Sequence, residues 1–166
     1  MGETREKRVL VFPAVIEEEP PDKKLYFLFS VLQVEDIIKD MEISILKVPF
    51  SPPYVGGLTL WRNIILPVIS LETCLGFTAG TSTDLRYISV RIHNEESEKS
   101  EMRTMLQVSS AIKMLTFPID CSPVSSFDFI PRKHLVKGVY EWEKGYLVVG
   151  DMQTILMGNI YNKNQA

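Results

Sequence analysis

Hydrophobic and polar positions along this chain fall into short apolar runs, separated by clusters of proline, glycine and charge. That is the pattern of strands and turns. Val9 to Ile16 reads as a strand, with Pro13 placing it at a sheet edge or a bulge. Leu25 to Leu32 reads as a second strand. The turn between them, at Pro20-Pro21-Asp22, uses proline to fix φ and aspartate to accept local bonds, so the pair reads as a hairpin. Val34 to Ile38 is apolar with Glu35-Asp36 embedded. Ile43 to Val48 reads as a further strand before Pro49, Pro52 and Pro53 break the chain. Leu85 to Ile92 alternates as a strand, Asn94 to Glu101 is a solvated hairpin tip, and Met105 to Phe117 holds one or two strands. Pro118 to Pro131 is irregular.

The stretch from Tyr54 to Leu75 is richer. Gly57 precedes a strand to Trp61, Arg62-Asn63 makes a tight turn, and Ile64 to Ile69 is an apolar run. Leu71 to Leu75 then reads as a short helix, with Ser70 as its N-cap and Gly76 as its stop. Laid without gaps on Leu135 to Leu156, this stretch repeats. Val55 meets Val136, Gly57 meets Gly138, Trp61 meets Trp142, Leu66 meets Leu147, Thr73 meets Thr154 and Leu75 meets Leu156. Ser70 meets Asp151, a residue with the same capping chemistry. Two copies of one unit predict two similar β lobes packed together, with Gly57 and Gly138 as backbone devices.

Composition agrees. Ile and Val number 15 each against 4 Ala, with 8 Phe, 6 Tyr and 10 Pro, which excludes a helix bundle or coiled coil. The 166 residues are predicted to form one domain of two intertwined subdomains, with 1–8 and 159–166 as flexible tails. A net charge of −3 argues against nucleic acid as the main partner. No apolar run is long enough for a transmembrane helix, and the first residues lack a signal-peptide core, so a cytoplasmic protein without membrane insertion is expected.

The segment Tyr54-Val55-Gly56-Gly57-Leu58-Thr59-Leu60-Trp61-Arg62-Asn63-Ile64-Ile65-Leu66-Pro67-Val68-Ile69-Ser70-Leu71 resembles the CheW-like chemotaxis domain. That family runs aromatic, apolar, any, Gly, apolar, any, Asn-Leu-Arg-Gly, three apolar residues, then Pro, two apolar residues and Asp-Leu. The second copy, through Gly150-Asp151-Met152, is similar to the family's C-terminal strand pair and closing helix. Val34-Glu35-Asp36-Ile37 fits its Val-x-Glu segment, and Pro49 to Tyr54 its approach to the glycine. The departures are polar: Leu60 stands for the family's Asn, Asn63 for its Gly, Ser70 for its Asp, and Val108-Ser109 lacks the carboxylate of a Val-Asp segment.

The resemblance implies two SH3-like, five-stranded β-barrel lobes and a non-catalytic adaptor. Such a protein couples methyl-accepting chemoreceptors to the regulatory domain of the CheA histidine kinase, at membrane-associated receptor arrays; the polar departures leave open a divergent interaction module of another signalling pathway, or one without kinase binding, and a small β-barrel enzyme is the remaining alternative. Receptor tips would lie along an apolar groove between the lobes. Val34, Asp36, Ile37, Arg62 and Asn63 fall where the family meets its partners. The guanidinium of Arg62, at a tight turn, can reach a partner carboxylate or brace its own turn.

Catalysis finds little support. Cys74 sits on the apolar face of a short helix, opposite Ile155 in the repeat. His93 borders the charged tip and His134 a basic cluster, and both read as solvated. No phosphate loop, nucleophile elbow or metal-spaced Cys/His set is present, so no cofactor and no metal is expected.

Overall fold

The computed structural model describes residues 8–17, 24–82, 84–93, 101–158 and 160–161. The strands are β1 (Arg8–Pro13), β2 (Lys24–Ser30), β3 (Val34–Lys39), β4 (Val55–Trp61), β5 (Ile64–Ile69), β6 (Leu85–His93), β7 (Glu101–Ser109), β8 (Lys113–Thr116), β9 (Ser122–Pro123), β10 (Val136–Trp142) and β11 (Gly145–Gly150). Two short helices follow the repeated hairpins: α1 (Leu71–Cys74) and α2 (Met152–Leu156). The strands form two mixed sheets. One is ordered β8-β1-β2-β11-β10-β9, the other β3-β6-β7-β5-β4. The all-β, two-lobed architecture read from the sequence is the one observed.

The sequence repeat is a structural repeat. In the first copy Val55 pairs with Ile69, Gly57 with Val68 and Trp61 with Ile64, with a register shift between Val55 and Gly57. In the second copy Val136 pairs with Gly150, Gly138 with Val149 and Trp142 with Gly145, with the shift at the matching place. Each hairpin leads into a capped helix turn. The Ser70 N–H donates to Tyr54 O at 2.9 Å, and the Asp151 N–H to Leu135 O, the equivalent residue, at 2.7 Å. Each second strand then finds a parallel neighbour, β5 on β7 and β11 on β2.

The chain reaches this symmetry by crossing between lobes. In the five-stranded lobe the hairpin β6–β7 lies between edge strand β3 and β5. In the six-stranded lobe the hairpin β1–β2 takes the same place, between β8 and β11. The lobe built mostly from the C-terminal part is thus completed by the first two strands. Alternation along those strands splits their side chains between two cores. Val9 and Val11 join Trp142 and Leu147 inside the six-stranded lobe. Phe12, Phe27 and Phe29 face the other way, into the largest core, which also takes Ile88, Val90, Leu106 and Val108 from the five-stranded lobe. The remaining core, around Leu66, Val68 and Met105, belongs to the five-stranded lobe.

Several local expectations change. Ile43 to Val48 is no strand. Only Leu46 exchanges backbone bonds with Leu58, both at 2.8 Å, and the Ser44 carbonyl is taken by the Thr59 hydroxyl at 2.7 Å instead of by a ladder N–H. β2 stops at Ser30, whose hydroxyl accepts from the Leu32 N–H at 3.2 Å and opens a 3₁₀ turn over Val31–Gln33. Met105 to Phe117 resolves into the end of β7 and β8, and the irregular 118–131 stretch holds the two residues of β9. At the tails, Arg8 already pairs with Thr116, and Ile160 is fully buried in the shared core. The turn at Pro20-Pro21-Asp22, the tip residues 94–100, and 1–7 and 162–166 lie outside the described residues.

Candidate functional site

The Arg62-Asn63 turn closes the β4–β5 hairpin in two residues. Both have positive φ, 50° and 64°, the geometry whose twist suits a two-residue hairpin. Asn63 accepts this conformation at modest strain in place of the family's glycine. The turn is fastened to edge strand β3 through Asp36. Trp61 Nε1 donates to Asp36 Oδ2 at 3.0 Å, and the Arg62 guanidinium donates to Oδ1 at 2.8 Å. Asp36, Arg62 and Asn63, read separately from the sequence, are therefore brought together. Arg62 braces its own turn, yet its side chain is 68% exposed and its outward face stays open.

The outer side of this hairpin is apolar: Leu60 is 65% exposed, Ile65 68% and Leu46 71%, while Ile37, next to Asp36 on β3, is 52% exposed. Leu46, Leu58, Leu60 and Ile65 line a concavity of about 460 Å³. Val34 is different: it packs partly buried against the shared core. The repeat shows how unusual the exposure is. Tyr146, the equivalent of Ile65, is covered in the other lobe by Phe129, with ring centroids 4.7 Å apart. No described segment does the same for Ile65, Leu60 and Leu46.

A second concavity, about 470 Å³, lies between the lobes. β2 and the turn after it contribute Leu28, Phe29 and Leu32. β11 and α2 contribute Val149 and Met152, and β6 contributes Ile92 from the opposite lobe. Arg91, His93 and Lys137 stand among these apolar groups.

Each repeated hairpin ends in a side-chain-capped helix turn. The Ser70 hydroxyl accepts from the Thr73 N–H at 3.3 Å, and Asp151 Oδ1 accepts from the Thr154 N–H at 3.2 Å. Ser70 lacks the family's charge, but a carboxylate enters from two residues on. Glu72, buried, accepts from the Val15 N–H at 3.0 Å and from the Ser70 hydroxyl at 3.2 Å. Burial pushes its carboxyl up from the ordinary range. Gly57 has φ of +146°, and a Cβ there would stand 2.4 Å from Leu46 O. Gly138 has no such φ, and its nearest obstacle is the Tyr140 ring at 3.3 Å.

Cys74 is a packing residue. It is fully buried, and desolvation pushes its thiol up to about 12, so it stays protonated at neutral pH. The His134 ring nitrogen Nε2 lies 2.9 Å from the Ile160 carbonyl oxygen, which makes it a tether for the chain end. Among the described residues no cluster of His, Cys, Asp and Glu could hold a metal ion. No helix among them is long and apolar enough to cross a membrane.

The hairpin turn was legible because its motif is local. The exposed apolar face was not, since Leu60 and Ile65 look like any strand residues until their uncovered side is seen. Arg91, Lys137 and Glu72 carried no sequence signal, because their surroundings come from distant segments.

Two comparisons bear on this architecture. A family model, the CheW-like domain, matches residues 21–158. Among solved structures, the scaffolding protein TtCheW from Thermoanaerobacter tengcongensis superposes with a TM-score of 0.65 at 20% identity, over 97% of this chain and 91% of that one. No curated protein matches the chain. The structural likeness fixes the fold. With the family match over most of the sequence, the repeated hairpin and its Arg62 turn find their place: this chain belongs to the CheW-like domain family.

Proposed function

We propose that this protein is a non-catalytic adaptor that joins a chemoreceptor signalling tip to the regulatory domain of a CheA-type histidine kinase, at membrane-associated receptor arrays. The observation that carries the reading is the presence of two separate apolar surfaces on one scaffold. One is the groove between the lobes, and the other is the concave face of Leu46, Leu58, Leu60 and Ile65. A scaffold needs two docking surfaces and no reacting groups, and exposed apolar patches of this kind mark protein interfaces. The groove is assigned to the receptor tip. The face beside Asp36, Arg62 and Asn63 is assigned to the kinase domain, with Arg62 setting orientation at its rim.

The test is calorimetry or co-purification of the full chain with each partner fragment. Both are expected to bind at micromolar concentrations. Arg62→Glu is expected to weaken binding of the kinase domain and leave that of the receptor fragment unchanged, with a modest fall in melting temperature from the lost Asp36 pair. Failure of both fragments to bind would overturn the adaptor reading. Loss of the folded state in Arg62→Glu would assign Arg62 to structure alone.

A further inference from the structure

Among the described residues, the groove between the lobes is lined by charge of one sign. Its apolar lining includes Leu28, Leu32 and Val149, and no carboxylate lines it among the described residues. Among the described residues, two of its cations have no acceptor. The other described arginines all have acceptors: Arg62, Arg86 and Arg103 bind carboxylates, Arg132 binds two carbonyls, and Arg8 reaches a methionine sulfur. Arg91, half-buried in the groove wall, has none among the described residues, and neither does Lys137. His93 differs, since Glu101 faces it at 3.9 Å. Arg91 also stands opposite Arg103 in the β6–β7 register, and Glu35 and Glu101 are both paired with Arg103. This happens on a chain whose net charge is −3.

We infer that the groove selects an amphipathic helix of a partner protein whose apolar stripe is flanked by carboxylates, and that Arg91 and Lys137 read those carboxylates. A guanidinium without an acceptor among the described residues, beside apolar surface, gains a charge-assisted fork on binding without first breaking a pair there. The groove is contributed by both lobes, so a helix of about 10–12 Å diameter touches each of them. The inference rests on the adaptor reading, in which this groove takes the receptor tip, and adds which tip sequences it accepts.

The experiment titrates the full chain with a receptor signalling-tip fragment at roughly 50 mM and roughly 500 mM salt. The same is done with Arg91→Glu/Lys137→Glu and with the milder Arg91→Gln/Lys137→Gln. The unmodified chain is expected to lose affinity as salt rises. The double reversal is expected to weaken binding about tenfold or more at low salt and to flatten the salt dependence. Lysines placed at the carboxylates of the fragment's groove-facing helix should restore binding to the reversed variant only. Unchanged melting temperature and retained kinase-domain binding show that the variants fold, and the neutral pair gives the same reading should the reversal unfold. Binding of the fragment that ignores both salt and these variants overturns the charge inference and leaves the adaptor reading standing. No binding of the fragment by the unmodified chain overturns both.

Discussion

Glu72 is the residue that most separates this chain from its pattern. Its carboxylate is buried between the α1 N-terminus and the Val15 N–H, a partner 57 positions away, and so it ties the segment after β1 to the other lobe. Desolvation raises its pKa against the Val15 N–H and Ser70 hydroxyl, which act to lower it. A carboxyl with a higher pKa folded than unfolded favours the fold most where both states are protonated. That contribution is lost as pH rises through the folded value. Glu72→Gln keeps an acceptor for the Val15 N–H and offers an N–H to Ser70, without the buried charge. It is expected to be more stable than the unmodified chain near neutral pH, with the difference vanishing towards acid, as read by urea denaturation across pH. Glu72→Ala should instead cost about 1–3 kcal/mol, by orphaning a buried N–H. A Glu72→Gln variant less stable at neutral pH would show that the ionised form is the preferred one. The sequence could display Ser70 as a cap, because capping is settled within three residues. It could not display Glu72 as buried, because the group that buries it comes from the far lobe.

At the scale of the element, the two hairpins show how far a repeat can be read. The shared Trp spacing announced the unit, and the register shift recurs at the same step in both copies. The glycines at that step look interchangeable in sequence and are not. Gly57 holds φ of +146°, a region essentially restricted to glycine, and a Cβ would strike Leu46 O. Gly138 lies outside the positive-φ region and meets only a side chain, at ordinary-to-tight distance. Gly57→Ala is therefore expected to destabilise by about 2 kcal/mol or more, and Gly138→Ala by less than about 1 kcal/mol. Chemical denaturation of the two variants checks this, and equal losses would mean that the repeat dictates one backbone role at both sites. The same contrast applies at Ile43 to Val48. Its apolar composition suits a strand, but the Leu46–Leu58 bridge and the bond from Thr59 to Ser44 O hold it as an irregular cover on β4. What a segment pairs with depends on its neighbours, and those are set by the return of the chain from the other lobe.

For the molecule as a whole, the question is whether two lobes mean two folding units. Two features argue for one. The hairpin β1–β2 completes the lobe built otherwise from β8 to β11, so that lobe has no contiguous sequence of its own. The largest core is shared, with Phe12, Phe27 and Phe29 packed in one cluster with Ile88, Val90 and Leu106. Opening either lobe exposes side chains that the other lobe buries, and this couples the two transitions. The chain carries a reporter in each lobe. Trp61 sits against the five-stranded lobe's own core, hydrogen-bonded to Asp36. Trp142 lies in the core of the other lobe, edge-on to Tyr26 at 5.2 Å. Trp142→Phe leaves Trp61 as the only indole, and Trp61→Phe leaves Trp142. Each substitution shifts stability, Trp61→Phe also by losing a hydrogen bond, so each fluorescence curve is compared with far-UV circular dichroism of the same variant. In both variants the fluorescence and dichroism midpoints are expected to coincide, with denaturant slopes matching a chain of this size unfolding at once. A fluorescence midpoint displaced from the dichroism midpoint in either variant would mean that the lobes unfold separately, and that the shared core is an interface between two units rather than the centre of one.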